Sequence, residues 1–243
     1  MKYFLPILFC LSLIGCSSSS DNVLVFTKTE GFRHKSIETS VEAMKKLGAE
    51  NNFKVHHTED AAVFHADSLK NFNAVMFLNT SGNILNKEQQ QAFKAYINNG
   101  GSFMGVHGAA DTETRWKWFM DMLGARFSSH PQNPNVRQAT INVLRTEHIS
   151  CKHLNYEWVR YDEWYNYTNI SNDITVLMNL DEKTYRGGRN GRNHPIAWYQ
   201  EFDGGRSFYT GGGHTDQSYS EEDFVKHLVG GIEYCLRRDV VEE

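Results

Sequence analysis

The sequence predicts an α/β domain in three layers, with a mainly parallel central sheet between two layers of helices. Strand and helix patterns alternate through the first half of the chain, the order that a parallel sheet requires. The strands of that half are continuous apolar runs, as expected where helices cover both faces of a sheet. The 243 residues are 40% hydrophobic and include 15 Phe, 11 Tyr and 5 Trp. That supplies one sizeable core, and at roughly 100–200 residues per domain it suits one large domain.

Each element has a local reason. Asn22 to Thr27 is a buried strand. Ser36 to Leu47 is a helix: Ile37, Val41, Met44 and Leu47 form one stripe, Glu38 sits in the first turn and Gly48 ends it. Phe53 to His57 and Ala74 to Leu78 are the next strands. Asn86 caps a helix with Gln89 three residues on; Ala92, Phe93, Tyr96 and Ile97 are its buried stripe, and Gly100-Gly101 stops it. Ser102 to Val106 is a fourth strand, followed by the turn His107-Gly108-Ala109-Ala110 and a helix over Trp116 to Leu123. The second half is richer in strands: Ala139 to Leu144, Thr175 to Leu180, Pro195 to Phe202 and Ser207 to Thr210. Ser220 with Asp223 is expected to form a capping box for a last helix, with Phe224, Leu228, Val229, Ile232 and Cys235 on its inner stripe.

Residues 1–15 read as an export signal, with Lys2 followed by an apolar run from Tyr3 to Ile14 too short to span a bilayer. The run ends Leu13-Ile14-Gly15-Cys16, which resembles a bacterial lipoprotein signal with Cys16 as the lipidated residue. Residues 16–21, Cys16 and a serine run, form a tether, and 22–243 form the domain. The expected location is the cell envelope, periplasmic or outer-membrane associated, with the membrane engaged only through the anchor. A formal charge of −4 argues against a general nucleic-acid binder, which needs a basic face. With Cys10 and Cys16 set aside, Cys151 and Cys235 remain, and an oxidising compartment permits them to pair or to stay as buried thiols.

In open α/β sheets, ligands bind beyond the carboxyl ends of the strands. His34 lies in the loop after the first strand, His107 directly follows the fourth, and His214 follows the last after Gly211-Gly212-Gly213. The three can converge as base, electrophilic donor or positioning groups, or hold a divalent metal. No His-x-x-x-His or His-Glu-x-x-His spacing occurs, so such a metal site exists only if the fold assembles it. His130 before Pro131, and His194 with Trp198, are candidates for substrate contact. Asp162-Glu163-Trp164-Tyr165 is a second constellation. Its rings suit stacking on a sugar, and a carboxylate beside rings can do acid/base work. Neighbouring strand residues face opposite ways, so only one of Asp162 and Glu163 is expected to face a given ligand. The stretch Gly187-Gly188-Arg189-Asn190-Gly191-Arg192 reads as a mobile loop near the ligand or as plain turn chemistry.

Six stretches, in order, resemble the ThuA-like (trehalose-utilisation) family, a branch of the class I glutamine-amidotransferase-like, flavodoxin-like fold. They are Gly31-Phe32-Arg33-His34, Gly105-Val106-His107, Leu123-Gly124-Ala125-Arg126-Phe127 with His130-Pro131, Asp162-Glu163-Trp164-Tyr165, His194-Pro195-Ile196-Ala197-Trp198, and Gly205-Arg206-Ser207-Phe208-Tyr209 leading to Gly213-His214. The resemblance implies a sugar link. It also implies that the strand-to-helix elbow, which carries a cysteine nucleophile in amidotransferases of this fold, here carries His107, so glutamine hydrolysis lacks its nucleophile. Two functions follow: an enzyme acting on disaccharides or their 3-keto forms by histidine and carboxylate acid–base chemistry (isomerase, lyase or hydrolase), or a non-catalytic carbohydrate-binding lipoprotein of a sugar-uptake system. A structural scaffold is a third, and leaves the strand-end histidines without a role.

Overall fold

A computed structural model describes residues 20–239; the signal, Cys16 and most of the tether lie outside that range. Nine strands form one sheet in the order β2-β1-β3-β4-β11-β10-β9-β6-β7. The first five positions are β2 (Phe53–Thr58), β1 (Asp21–Phe26), β3 (Ala74–Leu78), β4 (Ser102–Val106) and β11 (Gly205–Thr210), all parallel. The rest are β10 (Pro195–Phe202), β9 (Thr175–Leu180), β6 (Val136–Val143) and β7 (Glu157–Glu163), paired antiparallel. The sheet is therefore mixed, and its doubly covered part is the parallel part. A separate two-stranded ribbon joins β5 (Arg126–Ser129) to β8 (Asn166–Thr168).

Helices cover the parallel half because its strands are apolar on both sides. Every residue of β3 and β4 is buried. Phe77 and Phe103 point to one face, where they meet Phe93 of α3 (Lys87–Asn98) and Phe119 of α4 (Lys117–Leu123) with ring centroids 5.3–6.1 Å apart. The short α2 (Ala66–Leu69) lies beside α3. On the opposite face run α1 (Ile37–Glu50) and α5 (Glu222–Cys235). At Gly231 of α5 a side chain would collide with the Phe208 ring, at 2.6 Å, so glycine lets this helix press onto β11.

The Asn86–Gln89 capping box is present, each side chain accepting the other's backbone N–H at 2.9 Å. The box expected at Ser220 and Asp223 is not. A 3-10 turn spans Asp216–Ser220, capped by Thr215, and runs straight into α5 at Glu221, whose carboxylate is committed to Arg160. Three strands have no counterpart in the sequence reading. The aromatic run 157–163 is β7, with Trp158, Arg160 and Asp162 turned inward and Glu157, Val159 and Tyr161 outward; β5 and β8 are only four and three residues long. Cys151 and Cys235 are both buried free thiols.

Candidate active site

The carboxyl ends of β1, β4 and β11 deliver three histidines to one point, and the end of β7 delivers a carboxylate. His107 leaves β4 with φ +44°, the left-handed region that a β-carbon strains. The turn is tight enough that a side chain on Gly108 would lie 2.7 Å from the Thr80 carbonyl oxygen and 3.1 Å from the His34 ring. His107 Nδ1 is 2.8 Å from the Gly211 carbonyl. A carbonyl only accepts, so Nδ1 donates to it and Nε2 is the nitrogen that faces the centre. There it lies 3.2 Å from His214 Nδ1 and 3.4 Å from Glu163 Oε2, and His214 Nδ1 is 3.2 Å from the same oxygen. His34 completes the group, its ring edge-on to both other imidazoles at 4.9 and 5.1 Å, and its Nδ1 is buried without a hydrogen-bond partner.

One ligand atom from each of His34, His107, Glu163 and His214 lies within 4.8 Å of the others. A cation held at about 2.0–2.1 Å by nitrogen and oxygen requires ligand-to-ligand separations of about 3.0–3.4 Å, and the three short edges above fall in that range. The donor set, three imidazoles and one carboxylate, suits a divalent transition metal. The close triangle of His107, His214 and Glu163, with His34 further out and carrying a buried nitrogen that has no hydrogen-bond partner, fits such an ion. Burial, then the charges of His107 and His214, push the His34 pKa down to about 2, so this ring is neutral at any ordinary pH. Burial alone would raise the Glu163 pKa, but hydrogen bonds to His107 and His214, and their charges, outweigh it and hold the carboxyl far below the usual range.

Asp162, the neighbour of Glu163, faces the other way and is a fastener. It accepts from the backbone N–H groups of Glu163, Gly213 and His214 and from the Ser218 hydroxyl, and it pairs with Arg160 at 3.0 Å. Those contacts use its acceptor capacity, so the expected catalytic part for Asp162 is corrected to positioning of the His214 loop. Gly212 is required there, since a side chain would meet Arg160 Nη1 at 2.4 Å. Arg160 itself is buried, bonded to Ser218 and Glu221 and stacked against Trp158 and Phe224.

The substrate-contact candidates divide. His130 stands at the rim, 3.4 Å from the outer oxygen of Glu163, with its side chain a quarter exposed. Tyr165 forms the floor, its ring 4.1 Å from that of His107 and its hydroxyl facing His34 at 3.5 Å. The expectation of ligand contact is corrected for His194, Trp164 and Trp198, which belong to the interior. His194 Nε2 donates to the Tyr165 carbonyl and its Nδ1 meets Glu182, both at 2.8 Å. The indoles of Trp164 and Trp198 donate to the carbonyls of Arg137 and Leu123. Of the aromatic run, Trp158, Trp164, Tyr165 and Tyr167 are buried, and Tyr156 and Tyr161 are exposed.

Two contributors have no mark in the sequence reading. Asn135 donates to Glu163 Oε1 at 2.6 Å and so turns Oε2 toward the histidines. Asn79, after β3, bonds the Gly213 carbonyl and the Tyr219 hydroxyl. Nothing in a lone asparagine signals either part. Arg160 did carry a signal, since positions 158, 160 and 162 of a strand share a face.

The chain belongs to the ThuA family, described as trehalose utilisation, whose model matches residues 22–235. Among solved structures it is similar to a ThuA-like protein of Bacteroides uniformis, with TM-score 0.77 and 26% identity over 96% of this chain and 95% of that one. A ThuA-like protein of Parabacteroides merdae gives 0.74 and 18%, over 92% of each chain. More distantly, the β-galactosidase of Bacillus circulans shares the fold at 0.56 and 13%, over 89% of this chain and 31% of that one. No curated protein matches the sequence.

Proposed function

We propose that this protein is a carbohydrate-active enzyme whose centre, His34, His107, Glu163 and His214, holds a divalent cation and acts on disaccharides or their 3-keto derivatives. One observation carries the reading: four potential ligand atoms from four separate chain segments lie within 4.8 Å of one another in a buried setting. When bound, the cation supplies Lewis-acid polarisation of a carbonyl oxygen. The chain supplies the rest. The Gly211 carbonyl keeps His107 in the tautomer that presents Nε2, Tyr165 closes the floor against water, and Asn135 aims the carboxylate. His130, the partly exposed ring beside Glu163, takes the proton from the carbon next to the ketone and passes it to solvent. Isomerisation, β-elimination and keto-glycoside hydrolysis share that first step. A non-catalytic sugar binder would rest on exposed rings, and most of the aromatic run is interior, which favours the enzyme.

We further propose that the chain is lipid-anchored through Cys16 in the cell envelope. The sequence Leu13-Ile14-Gly15-Cys16 and the following serines support this.

Proton NMR in D2O tests the enzyme reading. The protein is mixed with trehalose and, separately, with 3-keto-trehalose, with and without chelator. Loss of a proton signal beside the ketone, or release of free sugar, abolished by chelator, is the expected result. Line broadening with no chemical change would transfer the assignment to a binding protein.

A further inference from the structure

Beside the centre lies a loop with a charge pattern that the reaction above leaves unused. Lys183, Arg186, Arg189 and Arg192 are exposed, and none forms an ion pair among the described residues. Arg137, beneath them, donates to the carbonyls of Gln132, Pro134 and Arg186, so its charge is also uncompensated. The one acid within the loop, Glu182, accepts from the backbone N–H groups of Asn190 and Gly191, meets His194, and pairs with none of these cations. Four cations therefore lie within this loop and a fifth bonds its backbone, against one carboxylate, in a chain whose formal charge is −4.

The loop is fastened, and fastened to the centre. The Asn166 side chain donates to the Gly187 carbonyl and accepts from Arg189 N–H at 2.7 Å, and Asn166 directly follows Tyr165 on the site floor. Asn190 exchanges two hydrogen bonds with the Tyr167 backbone at 2.8 Å. A side chain on Gly187 would lie 2.9 Å from Pro131, the residue after His130. The glycines at 187 and 191 have φ of +103° and +71°, so they serve this turn geometry. Because the backbone is tied at these points, the positive potential has a set place next to the crevice and attracts anions over about 8 Å at physiological salt.

We propose that the 182–192 loop binds the acidic group, carboxylate or phosphate, of an anionic sugar whose ring reaches the histidine–glutamate centre. Arginine is the residue whose planar fork matches either group. This inference names the substrate class and rests on the carbohydrate reading of the centre.

The test is an NMR titration of the full chain with D-glucuronate, D-glucose 6-phosphate, D-glucose and acetate, at low and high NaCl. Either acidic sugar should bind about tenfold more tightly than glucose, the return on one charge-assisted pair, and more tightly than acetate. The advantage should shrink with salt and vanish in the triple variant Arg186→Ala, Arg189→Ala, Arg192→Ala. The two acids tell which group is preferred. Equal binding of glucose and both acids would overturn the inference and leave the sugar reading standing. Acetate binding as tightly as the acidic sugars, or no binding by any sugar, would remove the sugar itself. Loss of the preference in EDTA would place the anion on a bound cation and not on the loop. Salt-sensitive capture of vesicles containing anionic phospholipid, lost in the triple variant while the sugar preference persists, would assign the arginines to a membrane surface and overturn the proposal.

Discussion

The two halves of the sheet contribute to the centre in different ways. The parallel half supplies three imidazoles from the ends of β1, β4 and β11, strands covered by helices and closed to water. The antiparallel half supplies Glu163 and the groups that aim it, from strands with one wet face. In the first half strand ends set the positions, His107 directly after β4, His214 four residues after β11 and His34 in the longer loop after β1. In the second, position depends on side chains: Asp162 ties the end of β7 to the His214 loop, Arg160 ties Asp162 to α5, and Asn135 fixes the carboxylate. A site assembled across such a boundary needs fasteners, and these are concentrated on the antiparallel side.

Removing a fastener tests that contrast most severely. Asp162→Ala takes one of two acidic partners from the buried Arg160, leaving Glu221, and frees three backbone donors. A loss of about 3–5 kcal/mol of stability is expected in urea unfolding, larger than for any single histidine of the centre; an effect under about 1 kcal/mol would mean the halves are joined by packing alone. Glu163→Gln removes only a ligand. Divalent-cation affinity should fall by at least about hundredfold, with the unfolding midpoint moved far less than in Asp162→Ala.

The seam between the halves has its own sensitivity. His227, buried, and His148, half-buried, both pack against Phe208, and burial lowers their pKa values to about 3 and about 4. The unfolded chain, with ordinary histidines near 6.5, binds more protons than the native one between those values and 6.5. Stability is thus fully present above about pH 6.5 and declines below it, by about 1.4 kcal/mol per pH unit for His227 and by less for the half-buried His148. Urea midpoints measured from pH 8 to pH 5 check this; a flat profile would show that the pair is hydrated in solution. The smallest expected effect is Asn135→Ala, which leaves Glu163 in place but untethered. About tenfold weaker cation binding with no measurable change in unfolding is the expected pair of results, and full affinity would show that the carboxylate needs no aiming.

The same boundary governs what could be read from the sequence. The parallel half was legible nearly residue by residue: β3 and β4 begin and end at the expected positions because a strand buried on both faces is an uninterrupted apolar run between polar breaks. Its three histidines were legible too, through the rule that strand ends carry ligands. The antiparallel half was legible mainly in β9 and β10. Its strand β7 is half polar and rich in rings, and that composition reads equally as a sugar-binding strip. The alternation rule did separate Asp162 from Glu163, without indicating which one faced inward to the histidines. His194 and Trp198 looked like site residues because polar and aromatic side chains near a ligand and in a core have the same identities; only the hydrogen bonds to Tyr165, Glu182 and Leu123 distinguish the two.

The most direct measurement is calorimetric titration of chelator-treated full-length protein with Zn2+ and Mn2+, alongside Glu163→Gln. One high-affinity ion per chain in the wild type, and its loss in the variant, is the expected result, since the antiparallel half then completes a site that three histidines do not make alone. No stoichiometric binding in the wild type, or equal binding without Glu163, would contradict a centre built jointly by the two halves of the sheet.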